Sequence, residues 1–558
     1  MRFSKALLYL SGFFILLLLA ACPGPDDSST SPGFNLSILN DELELFPGET
    51  ATVQIRVLRK GDFQGEITLE LSSLPNFSAS LNSIAEGENA SEFDLSTSAD
   101  PGTYTFTLKA SSGQISESAS LAVTVLTAPV TVEQVSIAGY EDSLQIRQGA
   151  GEIMLELTGS DLDKLSEPKL GDLALTLANQ SKSAVQLAAN IPHGLETGSY
   201  TLSFLASGQV LELDQQIVIT PLYVSPDGND KTGKGTTDLP FRSLSFALKQ
   251  ADSGDRIQLA AGEYSTAANE VWPVWTHEGI LPGGVANDGL NANVPEGVSI
   301  QGEGATTILK GEGIGSQTLG LVFAGNAQLA NVLLQDFEYA LLARAGILMI
   351  ENTRINSSAG GLWAYGTSTV TVSGESEFSG SVMGVGALNE ATVNLLGTQL
   401  SFGLFGLGAS ENAKLLLESV KVFNNAAGIG VLGQANVRLE GVEAFDNGTG
   451  MSLSGGIVRV RDSSFNNNQE FGIRVLEGLQ KLDLGTSADA GNNELNGNGT
   501  FQFLDARPAR AQPGGVVIEM SHTKLSSAQL TPGLYAGIYS GTNKTLMIAF
   551  KNNLVQVY

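Results

Sequence analysis

Cysteine occurs once in 558 residues and histidine three times. These counts exclude an internal disulfide and leave too few imidazoles for a His-based metal cage. Basic residues are scarce as well: 30 Lys and Arg stand against 58 Asp and Glu, a formal charge of -28. Phosphate binding needs a cationic surface, so nucleic acid is excluded as a partner. Charged residues make up only 16% and aromatic ones 7% of the chain, while glycine reaches 65 residues, well above the usual ~7%. Such a length exceeds what one core supports, and such a composition suits turn-rich, all-β architecture spread over several domains.

The chain opens with a targeting segment. Arg2 and Lys5 precede an apolar run from Ala6 to Ala21, the charged-then-apolar order of an export signal over residues 1–21. Leu19-Ala20-Ala21-Cys22 resembles the bacterial lipobox, which implies that the single cysteine, Cys22, is acylated and becomes the first mature residue. The expectation is an exported lipoprotein of the bacterial cell envelope, held to the membrane by acyl chains. The alternative is an ordinary signal peptide in which Cys22 is incidental. Residues 22–32, rich in Pro, Ser and Asp, read as a short extended tether.

Residues 33–128 alternate apolar and polar positions, as in Val53, Ile55 and Val57 or Leu121, Val123 and Val125, with turn signals such as Pro47-Gly48 and Pro101-Gly102 between them. This is the pattern of a β-sandwich. A second unit, 129–220, repeats the first: the segment around Tyr104 recurs 96 positions later around Tyr200. The first unit resembles bacterial Ig-like domains, and Leu155 to Leu162 in the second is similar to the strand-and-turn of transcription-factor-type Ig domains. Both are expected to act as spacers.

At Pro221 the pattern changes. Tyr223-Val224-Ser225-Pro226-Asp227-Gly228-Asn229-Asp230 leads to Pro240-Phe241-Arg242-Ser243, then to Gly254-Asp255-Arg256-Ile257-Gln258-Leu259 and Gly262-Glu263-Tyr264. Leu244, Ala247, Leu248 and Ala251 fall on one helical face, so the reading predicts a capped amphipathic helix near 243–251 with Ser243 as N-cap. This stretch resembles the opening of a family of uncharacterised bacterial proteins that begin a right-handed parallel β-helix. The resemblance implies that the helix plugs the open end of the solenoid, and it implies no particular reaction.

A period near 22 supports a solenoid over 221–500 independently. Coil starts at Ile347, Thr369, Thr392, Lys414, Asn436, Ile457 and Gln480 are spaced by 22, 23, 22, 22, 21 and 23 residues, and each coil carries three short strands. Asn425, Asn447 and Asn467 are placed in equivalent turns, as are Phe423, Phe445 and Phe465, forming structural columns along the axis. From Thr500 the period fails, and 501–558 is expected to form a terminal β cap.

On the first strand of each coil the outward columns read Met349, Thr371, Asn394, Leu416, Arg438, Arg459, and Glu351, Ser373, Leu396, Glu418, Glu440, Arg461. Pectin-lyase-like enzymes share the β-helix. Similarity to them implies a substrate along this face, held by acidic residues, usually with calcium, and an Arg or Lys as base. On that reading Arg438, Arg459 and Arg461 meet a polyanionic sugar, while Glu418 and Glu440 act as acid, base or weak metal ligand. The competing reading is a solvated ladder of opposite charges. No aspartate cluster is apparent around the arginines, and no cofactor is expected beyond the calcium of this resemblance. Among aromatics, Trp272-Pro273 reads as core, whereas Trp275, Trp363 and Tyr365 are candidate stacking platforms for sugar rings. The functional expectation is polysaccharide or envelope-glycan binding, with a polysaccharide lyase or hydrolase, or a structural or adhesive surface protein, as alternatives.

Overall fold

The computed structural model describes residues 31–505, apart from 141–142, 207, 275–292 and 487, together with short strands between 518 and 557. Cys22 and Trp275 lie outside the described residues. The chain divides into two compact units, through Val130 and from Thr131 onward.

The first unit is a β-sandwich of two four-stranded sheets. One orders the strands Gly33–Ile38, Thr50–Lys60, Ala90–Thr97 and Phe77–Ala79; the other orders Glu42–Leu45, Ile115–Val125, Gly102–Ser112 and Thr68–Leu71. Val53, Ile55 and Val57 are buried against a core that includes Leu121 and Val123, as the period-2 pattern requires. The second unit opens with another sandwich, of five and four strands. The repeat detected in the sequence has a physical basis. The Tyr104 hydroxyl donates to the Asp100 carbonyl at 2.8 Å, and the Tyr200 hydroxyl donates to the Glu196 carbonyl at 2.8 Å, pinning the same corner in both sandwiches.

This second sandwich is bonded directly to the first coil of the solenoid. Buried Asp255 accepts from the Gly194 and Asp252 amides at 3.0 Å each and pairs with His193 Nδ1 at 2.5 Å. Gln148 accepts from the Arg256 amide at 3.0 Å, and a Cβ added at Gly254 would sit 2.8 Å from Gly194 Cα. Backbone approaches this close admit only glycine.

From Leu222 the chain winds into a parallel β-helix. The single α-helix of the described residues, Leu244–Gln250, buries Leu244, Ala247 and Leu248 against the first coils. Ser243 caps it, accepting from the Phe246 amide at 3.2 Å. Asp230 takes the Arg242 and Ser243 amides, and Glu270 takes those of Leu244 and Ser245. The orphan donors of the first turn are thereby satisfied.

Three stacked parallel sheets follow. The first contains Ile347–Glu351, Thr369–Ser373, Thr392–Leu396 and Lys414–Glu418; the second contains Arg354–Asn356, Glu377–Ser379, Gln399–Ser401 and Lys421–Phe423; the third contains Gly360–Ala364, Met383–Ala387 and Phe405–Ala409. The predicted coil register holds from Ile347 through Ile457. It then shifts by one: Ile457 pairs with Lys481, not Gln480. Side-chain columns are corrected likewise. Asn425, Asn447, Asn468 and Asn498 form the buried amide ladder, each side chain donating to the next at 2.9–3.1 Å. Asn467 is instead a left-handed turn residue. Phe465 pairs with Ala444 and points inward, so only Phe423 and Phe445 stack. One residue of register reverses the face of every side chain in a strand. The winding also continues past Thr500, contrary to expectation: Phe501–Asp505, Ile518–Glu519 and Thr523–Leu525 extend the third, first and second sheets. Antiparallel pairing follows these strands, between Tyr539–Ser540 and Lys544–Thr545, and between Leu554–Val557 and both Thr523–Leu525 and Ile548–Lys551.

Candidate functional site

The outward columns of the first sheet are as the alternation predicts. Leu416, Arg438, Arg459 and Asp483 lie in register, as do Leu396, Glu418, Glu440 and Arg461. Glu418, Glu440 and Arg438 are exposed. At the C-terminal end the column closes into an ion-pair cluster that the sequence reading missed. Arg461, with a side chain 5% exposed, donates to Asp483 at 3.0 Å and to Asp489 at 2.5 Å. It also donates to the Val460 carbonyl at 2.7 Å. Arg459 reaches the same Asp489 at 2.8 Å.

The electrostatics follow from these contacts. Burial opposes the charge on Arg461, but hydrogen bonds to Asp489 and Asp483 outweigh it and raise the guanidinium further above its ordinary range. Hydrogen bonds from Arg461 and Arg459 hold the Asp489 carboxyl well below the usual carboxylate range. Arg461 is therefore a poor general base, because its guanidinium would first have to lose the proton that these contacts hold on it. Arg438 is in register with Arg459 and forms no ion pair among the described residues.

The expectation that no aspartates surround the arginines is therefore corrected. Its cause is the one-residue slip at Lys481: with the true register, Asp483 falls under Arg459. Asp489 comes from the irregular connection after that strand, where no period applies. Calcium does not fit these residues. Asp483 and Asp489 already accept from guanidinium groups, and a calcium site needs six to eight oxygens. Among the described residues no group of three or more His, Cys, Asp or Glu is placed to hold a metal.

The aromatic candidates separate. Trp272 is core: its Nε1 donates to the Lys310 carbonyl at 2.8 Å, and its ring meets Phe337 at 5.2 Å. Trp363 and Tyr365, read as open platforms beside a turn, are only 8% and 7% exposed. Trp363 belongs to the strand Gly360–Ala364 on the outer side of the third sheet, where both residues join Leu319, Val322, Leu342 and Leu388 in a cluster separate from the main core. The two glycines before Trp363 lie in the strand rather than in a turn: a Cβ at Gly360 would meet the Trp363 Nε1 at 2.3 Å, and one at Gly361 would meet the Gly384 carbonyl at 2.4 Å. A cleft of about 470 Å³ lies between the helix and the first coils, with Lys249, Glu296 and Trp272 in its lining.

The fold is that of the pectin-lyase-like β-helices, and the comparisons agree locally. A 53-residue stretch is 40% identical to pectate lyase PEL9 of Emericella nidulans, covering 10% of this chain and 13% of that enzyme. The chain thus matches about an eighth of the length of its curated relative. Two tandem-domain structures are also similar. Domains 5–6 of the S-layer protein SbsC are 13% identical, covering 34% of this chain and 98% of that one, at a TM-score of 0.15. The titin domains Z1Z2, solved in complex with telethonin, are 12% identical, covering 34% and 98%, at a TM-score of 0.22. These likenesses say nothing of activity. Residues 226–514, more than half of the chain, match the family described as "Protein of unknown function (DUF1565)", and the chain belongs to it.

Proposed function

We propose that this protein binds polysaccharide through its β-helix, as an exported lipoprotein anchored at Cys22 and spaced from the membrane by its sandwiches. The lipobox-like Leu19 to Cys22 and the preceding apolar run support the anchor. The observation that carries binding over cleavage is the clamp on Arg459 and Arg461. A lyase on this face needs a side chain free to reach the substrate proton, and Arg459 is occupied by Asp489 and Arg461 by Asp483 and Asp489, which leaves Arg438 alone of the three arginines open to a substrate. Local similarity to a pectate lyase keeps the lyase as the second reading.

A glycan array probed with the full chain tests binding. Unsaturated-product absorbance on polygalacturonate and alginate, with added calcium, tests cleavage. Retention of at least one glycan without turnover is expected. Turnover that disappears in Arg459→Ala would reverse the order of the two readings.

A further inference from the structure

The turn between the second and third sheets holds one residue per coil in the left-handed region of backbone space. Ser357, Gly380, Asn424, Asp446, Asn467 and Gly497 occupy it. Small or self-bonding residues visit this region readily. Phe402 occupies the same position in its own coil, at φ 57°, directly after the strand Gln399–Ser401. A bulky side chain there strains the backbone. Burial does not offset the strain, because Phe402 is 62% exposed.

The ring is held at a defined angle. It meets Phe423 edge to face at 6.1 Å and 73°, and Phe423 is itself stacked on Phe445 at 5.1 Å and 3°. Val382 on the preceding turn and Leu404 and Phe405 on the same one are 44%, 51% and 41% exposed, and Asn424 is exposed on the next turn. The turns 380–382, 402–404 and 424–426 contain no charged residue, in a chain of net charge -28.

We infer that Phe402 is the ring platform of a binding site for a neutral polysaccharide, with Phe405 beside it and Asn424 as the hydrogen-bonding edge. Sugar C–H faces stack on aromatic π density, and a few placed polar groups orient the ligand. An anionic polymer finds no cation on these turns and is repelled by the chain's overall charge. The exposed apolar side chains are too few for a stable protein partner, which covers about 20–30 residues on each side. The inference rests on the polysaccharide-binding reading above and assigns the contact to the corner between the second and third sheets.

The test compares full-length wild type with Phe402→Asn in native gels cast with hydroxyethyl cellulose, galactomannan or polygalacturonate, alongside thermal melts. Wild type is expected to be retarded by a neutral polymer and not by polygalacturonate. Phe402→Asn should bind about three- to tenfold more weakly. It should melt at the same temperature or higher, because asparagine suits the left-handed backbone. A lower melting temperature would make the ring structural and overturn the site. Retention unchanged by the substitution would leave polysaccharide binding standing elsewhere and overturn this site alone. No retention of wild type by any polymer, or retention by polygalacturonate alone, would also overturn it. So would self-association in sedimentation velocity that Phe402→Asn abolishes without any glycan retention, which would mark an interface between copies of the chain.

Discussion

Arginines in adjacent coils of this protein have different fates because of what lies beneath them. Arg438 is exposed and forms no ion pair among the described residues, whereas Arg461 is buried between two carboxylates. Arg461→Ala leaves Asp483 buried without its partner and should cost about 3 kcal/mol. Arg438→Ala should stay within about 0.5 kcal/mol. Urea melts of the two variants check the contrast, and equal losses would mean that the clamp carries no structural weight. The pH dependence has a defined sign. Asp489 has a depressed folded-state pKa, so its contribution is present above the ordinary aspartate value of about 3.9 and is lost only as pH falls through the lower folded value. The melting-temperature gap between wild type and Asp489→Asn should therefore be open at neutral pH and close only in strong acid.

The element that sets the cross-section of the solenoid is the turn between the second and third sheets. Its buried amides satisfy one another and the coil carbonyls: Asn447 donates to the Val422 carbonyl at 2.9 Å and to Asn468 at 3.1 Å, and accepts from Asn425. Asn447→Ala removes the acceptor of the Asn425 amide and the side-chain donor to the Val422 carbonyl, and should cost about 2–3 kcal/mol. Asn467→Gly, one position away from the ladder, keeps the left-handed turn and should stay within about 0.5 kcal/mol. Inside the coil, Val431 is fully buried, and Val431→Asp should cost more than either change because a lone carboxylate finds no partner there. Denaturant melts of the three variants order the positions. A loss at Asn467→Gly as large as at Asn447→Ala would put the ladder in the wrong column.

At the scale of the whole molecule, the anchor proposed above rests on the apolar run after Arg2 and Lys5 and on the single cysteine that follows it. If Cys22 is the acylation nucleophile, Cys22→Ser should abolish lipid attachment and leave the precursor unprocessed. Fractionation of cells making each form, with metabolic labelling by a fatty acid, checks this. A Cys22→Ser protein that matures and sediments with membranes as before would remove the anchor from the proposal. The glycan experiments do not depend on that outcome, because the proposed ligand contacts lie within 221–500 of the solenoid.

The winding itself was legible without coordinates, because a 22-residue period with inward Ile429 and Val431 is a covalent property of the chain. So was the capped helix, since Ser243 and the apolar face of Leu244, Ala247 and Leu248 are local signals. What lay beyond the sequence was set by distance. Whether Phe465 faces in or out depends on one residue of register. Whether Trp363 is open depends on Leu319, Val322 and Leu342 from preceding coils, which pack around it in an apolar cluster. The partners of Arg461 arrive 22 and 28 residues later, one from the next coil and one from an aperiodic connection. Periodicity determined the solenoid; only tertiary structure decided which charges were paired and which rings remained in water, because pairing and burial are properties of neighbours that the chain order does not make adjacent.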